Sequence, residues 1–138
     1  MRLKDLPFPV YGDTTFRGKC PSEAMEQMTF FNTLRREHPG TWGMLALHPR
    51  NEGQLRGGQH KAMIRHKAEG LALGASDVII PGRVTFVCEM KRQDHTQSKW
   101  QDGQIEYLVA AHEAGAFACA ALGWEAAWQA FEDWQNVA

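Results

Sequence analysis

The pattern of apolar and polar positions from Ala75 to Lys91 reads as two apolar strands joined by a Pro81-Gly82 turn signal, with β-branched residues on both sides of it. Strand side chains point to alternate faces, so Val84, Phe86, Cys88 and Met90 share one side and Thr85, Val87, Glu89 and Lys91 the other. The first set is wholly apolar and predicts a core face. Pairing as a hairpin sets Asp77, at the start of the first strand, across from the end of the second. Asp77, Glu89 and Lys91 then form one patch.

Helical spacing dominates elsewhere. Pro21-Ser22 predicts a helix start, with Ser22 as the cap and Glu23 and Glu26 in the first turn. Acids there are favoured by the helix dipole by about 0.3–1 kcal/mol each, which alone explains their presence. Ala24, Met28 and Phe31, flanked by Phe30 and Leu34, form the stripe of this helix, which Pro39-Gly40 ends near His38. The short apolar run Trp42 to His48, bounded by Gly40 and Pro49, predicts a buried strand. Pro49–Gly58 reads as a loop, residues 59–69 as a helix and Gly70–Gly74 as its end. After a polar loop from Arg92 to Ser98, a helix is predicted from Lys99 to Ala114. Ile105, Leu108, Val109 and a half-buried His112 face inward there, with Gln104 beside them. Ala116–Leu122 suits a strand covered on both faces. Trp124, Trp128 and Phe131, with Trp134 nearby, make an aromatic helical stripe of the kind that packs on a sheet. Residues 1–20 predict an irregular arm, and residues 21–138 a single domain. The order α-β-α-β-β-α-β-α predicts an α/β architecture: a mixed sheet of about four strands flanked by helices.

Composition narrows the class. A chain of 138 residues with five tryptophans is long enough for one domain with a real core. No run of eighteen apolar residues occurs, which argues against a membrane span, and the charged N-terminus lacks the apolar stretch of a signal peptide. Three widely separated cysteines, Cys20, Cys88 and Cys119, form no metal-binding spacing and suit a reduced, cytoplasmic setting. The net charge of −1 is uninformative, but its distribution is not. Residues 1–99 hold all fifteen Lys and Arg against ten acids, whereas residues 100–138 hold six acids and no Lys or Arg. Such asymmetry hints at nucleic-acid contact on the basic side, although an ordinary dipolar surface also accounts for it.

Two stretches carry candidate chemistry. Asp77, Glu89 and Lys91 bring two carboxylates and an amine to one spot, which can hold a divalent metal and steer a water. Arg50, Arg56, Lys61, Arg65 and Lys67, with His60 and His66, face a single acid, Glu52. They read either as a solvated helix face or as phosphate contacts that release counterions from a nucleic acid. His48, His60 and His66 lack a zinc-ligand spacing.

At this point the chain resembles the PD-(D/E)xK nuclease superfamily, and more narrowly its VRR-NUC branch. The matching stretches are Ser22-Glu23-Ala24-Met25-Glu26-Gln27, His48-Pro49-Arg50-Asn51-Glu52-Gly53, and the run from Lys67 to Asp77. Phe86-Val87-Cys88-Glu89-Met90-Lys91-Arg92, Gln104 and Gly123-Trp124-Glu125-Ala126 complete the pattern, covering roughly residues 22–134. Two departures are Ser76, where a proline usually precedes the motif aspartate, and a longer linker from Arg92 to Gln104. The resemblance implies a restriction-endonuclease-like core and a metal-dependent endonuclease. It is similar to small, often phage-borne Holliday junction resolvases that act as homodimers in DNA recombination and repair. By this resemblance Asp77 and Glu89 ligate Mg²⁺ or Mn²⁺ with the Met90 carbonyl, Lys91 orients or activates the attacking water, and Gln104 supports the site. Glu26 is the preferred acid on the first helix, with Glu23 as the alternative.

The leading expectation is therefore a homodimeric, structure-selective endonuclease acting on branched DNA in the cytoplasm of a bacterial or phage-infected cell. Nicking or flap cleavage is the nearest alternative. A DNA-binding module without turnover would not need Asp77, Glu89 and Lys91 together. An interaction protein built on the Trp124–Trp134 helix would leave those residues unexplained.

Overall fold

The small side chains of Phe117–Leu122 (β4) allow both faces of that strand to be covered. Ala118 and Ala120 are buried on one side, and Cys119 and Ala121 on the other. In the computed structural model, which describes residues 2–49, 64, 65 and 67–138, β4 is flanked by parallel neighbours. These are β1 (Val10–Tyr11) and β3 (Phe86–Lys91). β3 pairs antiparallel with β2 (Val78–Ile80), and the sheet order is β1-β4-β3-β2. One face packs against α1 (Glu23–Glu37), α2 (Trp42–Leu45) and α4 (Trp124–Val137). The other packs against α3 (Gln104–Glu113) and the aromatic rings of Phe8 and Trp100. The mixed α/β architecture read from the sequence is the one observed.

The faces of β3 divide as its alternation requires. Phe86, Cys88 and Met90 join the larger core, while Val87 joins the smaller one. β3 begins at Phe86, so Pro81–Thr85 form a longer connection than a tight Pro-Gly turn. That connection is tied down by the buried Trp134 ring, whose Nε1 donates to the Val84 carbonyl at 2.7 Å.

Ser22 caps α1 as expected, its hydroxyl accepting from the Met25 N–H at 3.2 Å. The buried face of α1 is Glu26, Phe30, Phe31 and Leu34, however, and Ala24 and Met28 are exposed. Glu26 and Phe30 lie one turn apart, so the true stripe runs through a carboxylate that hydropathy alone assigns to solvent. The strand predicted over Trp42–His48 is α2 followed by one bridging residue. Leu47 exchanges both backbone hydrogen bonds with Ile79, at 2.9 and 3.0 Å. Gly43 permits this short helix, because a Cβ there would lie 2.7 Å from the His38 carbonyl at the end of α1. Trp42 meets Trp134 edge-on at 4.9 Å.

α3 starts at Gln104 rather than Lys99. Gly103 sits at φ 88° and is packed against Gly74, at which a Cβ would come within 2.2 Å of the Gly103 backbone. Leu108 is the buried apolar residue of α3, Ile105 and Val109 are half-buried, and His112 is exposed. The helix expected over residues 59–69 is seen in its last turn, at Ile64, Arg65, Lys67 and Ala68. The loop 50–58 lies outside the described residues.

The arm is not wholly irregular, since Val10–Tyr11 adds the edge strand β1. Asp94 ties the arm to the loop after β3. It accepts from the Thr96 hydroxyl and amide, from the Gly18 N–H at 3.0 Å and from Gln97 Nε2 at 3.0 Å. These bonds, led by the Thr96 hydroxyl, hold its carboxyl well below the usual range. A depressed folded-state pKa contributes stability that is present above the ordinary carboxylate range and is lost as pH falls towards the folded value. Asp94→Asn should therefore flatten the acid limb of a stability-versus-pH curve and leave the alkaline limb unchanged. Truncating the fully buried Trp134 to alanine should cost about 3–5 kcal/mol, read as a lower urea midpoint at unchanged slope.

Candidate active site

The antiparallel register Val78↔Cys88 places Asp77 next to Glu89 on the α3 face of the sheet. Asp77 ends the approach to β2, and its Oδ2 accepts the Met90 N–H at 2.8 Å. Its own carbonyl lies 2.8 Å from His48 Nδ1, a contact with no sequence signal, because His48 reads only as the end of an apolar run. Ser76, which precedes it, is fully buried and its hydroxyl has no hydrogen-bond partner.

Glu89 and Lys91 sit much deeper than a surface patch, at 1% and 2% exposure. Lys91 Nζ donates to the Lys99 carbonyl at 2.7 Å and to Gln104 Oε1 at 2.9 Å, and lies 3.5 Å from Glu89 Oε2. Gln104 in turn donates from Nε2 to Glu89 Oε2 at 3.1 Å. Its Oε1 also accepts the Gln101 N–H at 2.8 Å. The Lys91 ammonium lies over the Trp100 ring, 4.6 Å from its centroid. An ammonium has three donors, and here two are spent on the linker and α3 while the third side faces Glu89. The linker residues Lys99 and Trp100 escaped the sequence reading, which treated this segment as a polar loop running into a helix.

Glu89 Oε1 has no hydrogen-bond partner. Burial pushes the Glu89 carboxyl well above its ordinary range, and the neighbouring Asp77 adds to the rise, by its charge and by a side-chain hydrogen bond to the protonated form. Lys91 opposes it, and Glu23 contributes a smaller repulsion. Glu23, in the first turn of α1, is half-buried, and its charge acts on Glu89. Glu26 is buried: its Oε2 accepts from Gln93 Nε2 at 3.1 Å and lies where a Cβ on Gly123 would come within 2.7 Å. Among the described residues, no three His, Cys, Asp or Glu side chains are gathered so as to ligate one ion.

The cationic stretch is covered only in part. Arg50, Arg56 and Lys61 lie outside the described residues. Arg65 and Lys67 are exposed on the helical turn before Gly70, and Arg65 Nε pairs with Glu69 Oε1 at 3.0 Å.

No protein-family model matches the chain, and no curated protein matches it. Its fold is that of a solved VRR_NUC domain protein. The two superpose with a TM-score of 0.68 over 87% of this chain and 93% of that one, at 16% sequence identity. The architecture is thus a VRR-NUC-like fold, and Asp77, Glu89 and Lys91 meet where the β2–β3 hairpin opens at the edge of its sheet.

Removing one partner of a buried ion pair leaves the other charge uncompensated. Lys91→Met should therefore destabilise the fold by about 3–5 kcal/mol, and adding Glu89→Gln should recover much of the loss. A double-mutant cycle by urea unfolding measures the coupling.

Proposed function

We propose that the protein is a divalent-metal-dependent endonuclease that cuts branched DNA as a homodimer. The observation that carries the reading is the unpartnered Glu89 Oε1 beside Asp77, inside a VRR-NUC-like fold. A buried carboxylate with a free lone pair, crowded by a second carboxylate, is a group that a hard cation would satisfy. The donor set is all oxygen, which suits Mg²⁺ or Mn²⁺, and Mg²⁺ keeps several waters, so two carboxylates and a carbonyl suffice.

In this reading Asp77, Glu89 and the Met90 carbonyl hold the ion. Of the two acids on α1, Glu23, whose charge reaches Glu89, would add to the negative charge that draws the ion, whereas Glu26 is hydrogen-bonded to Gln93. The bound ion supplies Lewis-acid stabilisation of charge on the phosphate and the leaving oxygen. Gln104 orients Glu89 Oε2 and Lys91 together, which leaves Oε1 as the free oxygen. Lys91, held by two acceptors and an aromatic face, serves as a fixed positive charge for phosphate or water rather than as a proton acceptor. Among the described residues, Met25, Met28, Met44, Leu45 and Leu47 are large apolar side chains exposed on or just after α1 and α2, which suits a second copy. Two sites related by a two-fold axis match paired cuts across a four-way junction.

Labelled four-way junction, flap and linear duplex, incubated with Mg²⁺, Mn²⁺ or chelator, test the reading. Symmetric junction cutting that is abolished in Asp77→Ala is the expected result. Flap or duplex cutting would keep the nuclease and discard the resolvase, and binding without cutting would leave a DNA-binding module. Metal at about 100 times its Kd should also stabilise the wild type by about 2.7 kcal/mol in thermal melts, and should leave Asp77→Asn and Glu89→Gln unmoved.

A further inference from the structure

The N-terminal arm, which carries no motif, lines an open groove of about 540 Å³ on the same face of the sheet as the acidic pair. Leu6, Phe8 and Val10 are among its apolar lining residues, and Arg2, Lys4 and His95 are its basic ones. Among the described residues, no acidic one lines it. Arg2 pairs with Asp5 at 3.5 Å, but both side chains are more than half exposed, so this contact is weak and exchangeable.

The register fixes where this groove lies. Val10 pairs with Ala120, and Ala120 pairs with Glu89, so the three residues form one row across β1, β4 and β3. Two interstrand steps separate Val10 from Glu89 by roughly 10 Å. Phe8 in the groove wall contacts Trp100 at 6.3 Å, and Trp100 in turn covers the Lys91 ammonium. A span of roughly 10 Å is within the reach of a few nucleotides of one strand.

We propose that this groove is a second nucleic-acid contact, binding the strand that continues from the phosphate met by Lys91 beside Asp77 and Glu89. It rests on the nuclease reading for that phosphate. Arg2 and Lys4 neutralise backbone phosphates, and the apolar floor receives the sugars between them. Charge complementarity selects a polyanion over a peptide, and the shared row with Glu89 selects the strand already engaged there.

The test pairs Arg2→Ser/Lys4→Ser with a charge-matched control, Arg36→Ser/Arg83→Ser, both made at exposed positions. Binding of a fluorescent four-way junction and of a short single strand is titrated in EDTA between roughly 50 and 200 mM salt. The groove variant should bind about tenfold more weakly, and its plot of log K against log salt should be shallower by about 1.4 to 1.8, the equivalent of two lost phosphate contacts. With metal present, KM should rise and kcat should hold. An unchanged salt slope in a variant that still cuts DNA would overturn the groove and leave the nuclease standing. An equal loss in the control would also overturn it, as would binding to anionic-lipid vesicles in place of DNA. A wild type that binds without cutting, with the slope still reduced in the groove variant, would support the groove and remove the nuclease.

Discussion

The structure depends on a charge that has been taken out of water. Lys91 is an ammonium at 2% exposure, and desolvating it is costly unless every donor finds a partner. Its partners come from three places: Glu89 two residues earlier on β3, Gln104 at the start of α3, and the Lys99 carbonyl in the linker between them. That requirement explains why α3 begins where it does. Gln104 must sit in the first turn, facing the sheet, and the Gly74–Gly103 contact fixes that start by allowing two backbones to approach closer than any Cβ permits. The fold thus closes around a polar network on one face, while the other face is an ordinary apolar core of α1, α2 and α4.

The two faces have opposite physical characters, and β4 reconciles them. Its alternating small residues serve both layers, so that Ala120 sits beside Glu89 and Val10 on one face while Cys119 and Ala121 pack among aromatics on the other. A larger residue at 120 would push α3 and Trp100 away from the sheet and loosen the clamp on Lys91. Apolar packing on one side therefore holds the hydrogen-bond geometry on the other.

How much of this was legible in the chain depends on the range of the interaction involved. Strand alternation made the core and polar faces of β3 readable, and with them the meeting of Asp77, Glu89 and Lys91, because a two-residue period is a local property. The cap at Ser22 and the aromatic face of α4 were readable for the same reason. Trp42–Leu45 was misread because a short apolar run has no period that separates strand from helix, and the decisive contact, Gly43 against the end of α1, is tertiary. The stripe of α1 was misplaced because Glu26 is buried by a partner sixty-seven residues away, Gln93. Trp100, the Lys99 carbonyl and the role of the arm carry no pattern at all, since each acts only once the sheet has brought β1 and β3 within two strands of each other.

The same geometry bears on how the site would work. Lys91 and Gln104 form a closed circuit with Glu89 Oε2, and Glu89 Oε1 is left without a partner beside a second carboxylate. Such an arrangement is unfavourable by itself, as burial and Asp77 together drive Glu89 towards its protonated form. Stability is thereby given up at one oxygen while every neighbouring polar atom of Gln104 and Lys91 is satisfied. The cation proposed above would supply the positive charge that this oxygen lacks, and a proton shared with Asp77 would serve the same end in its absence.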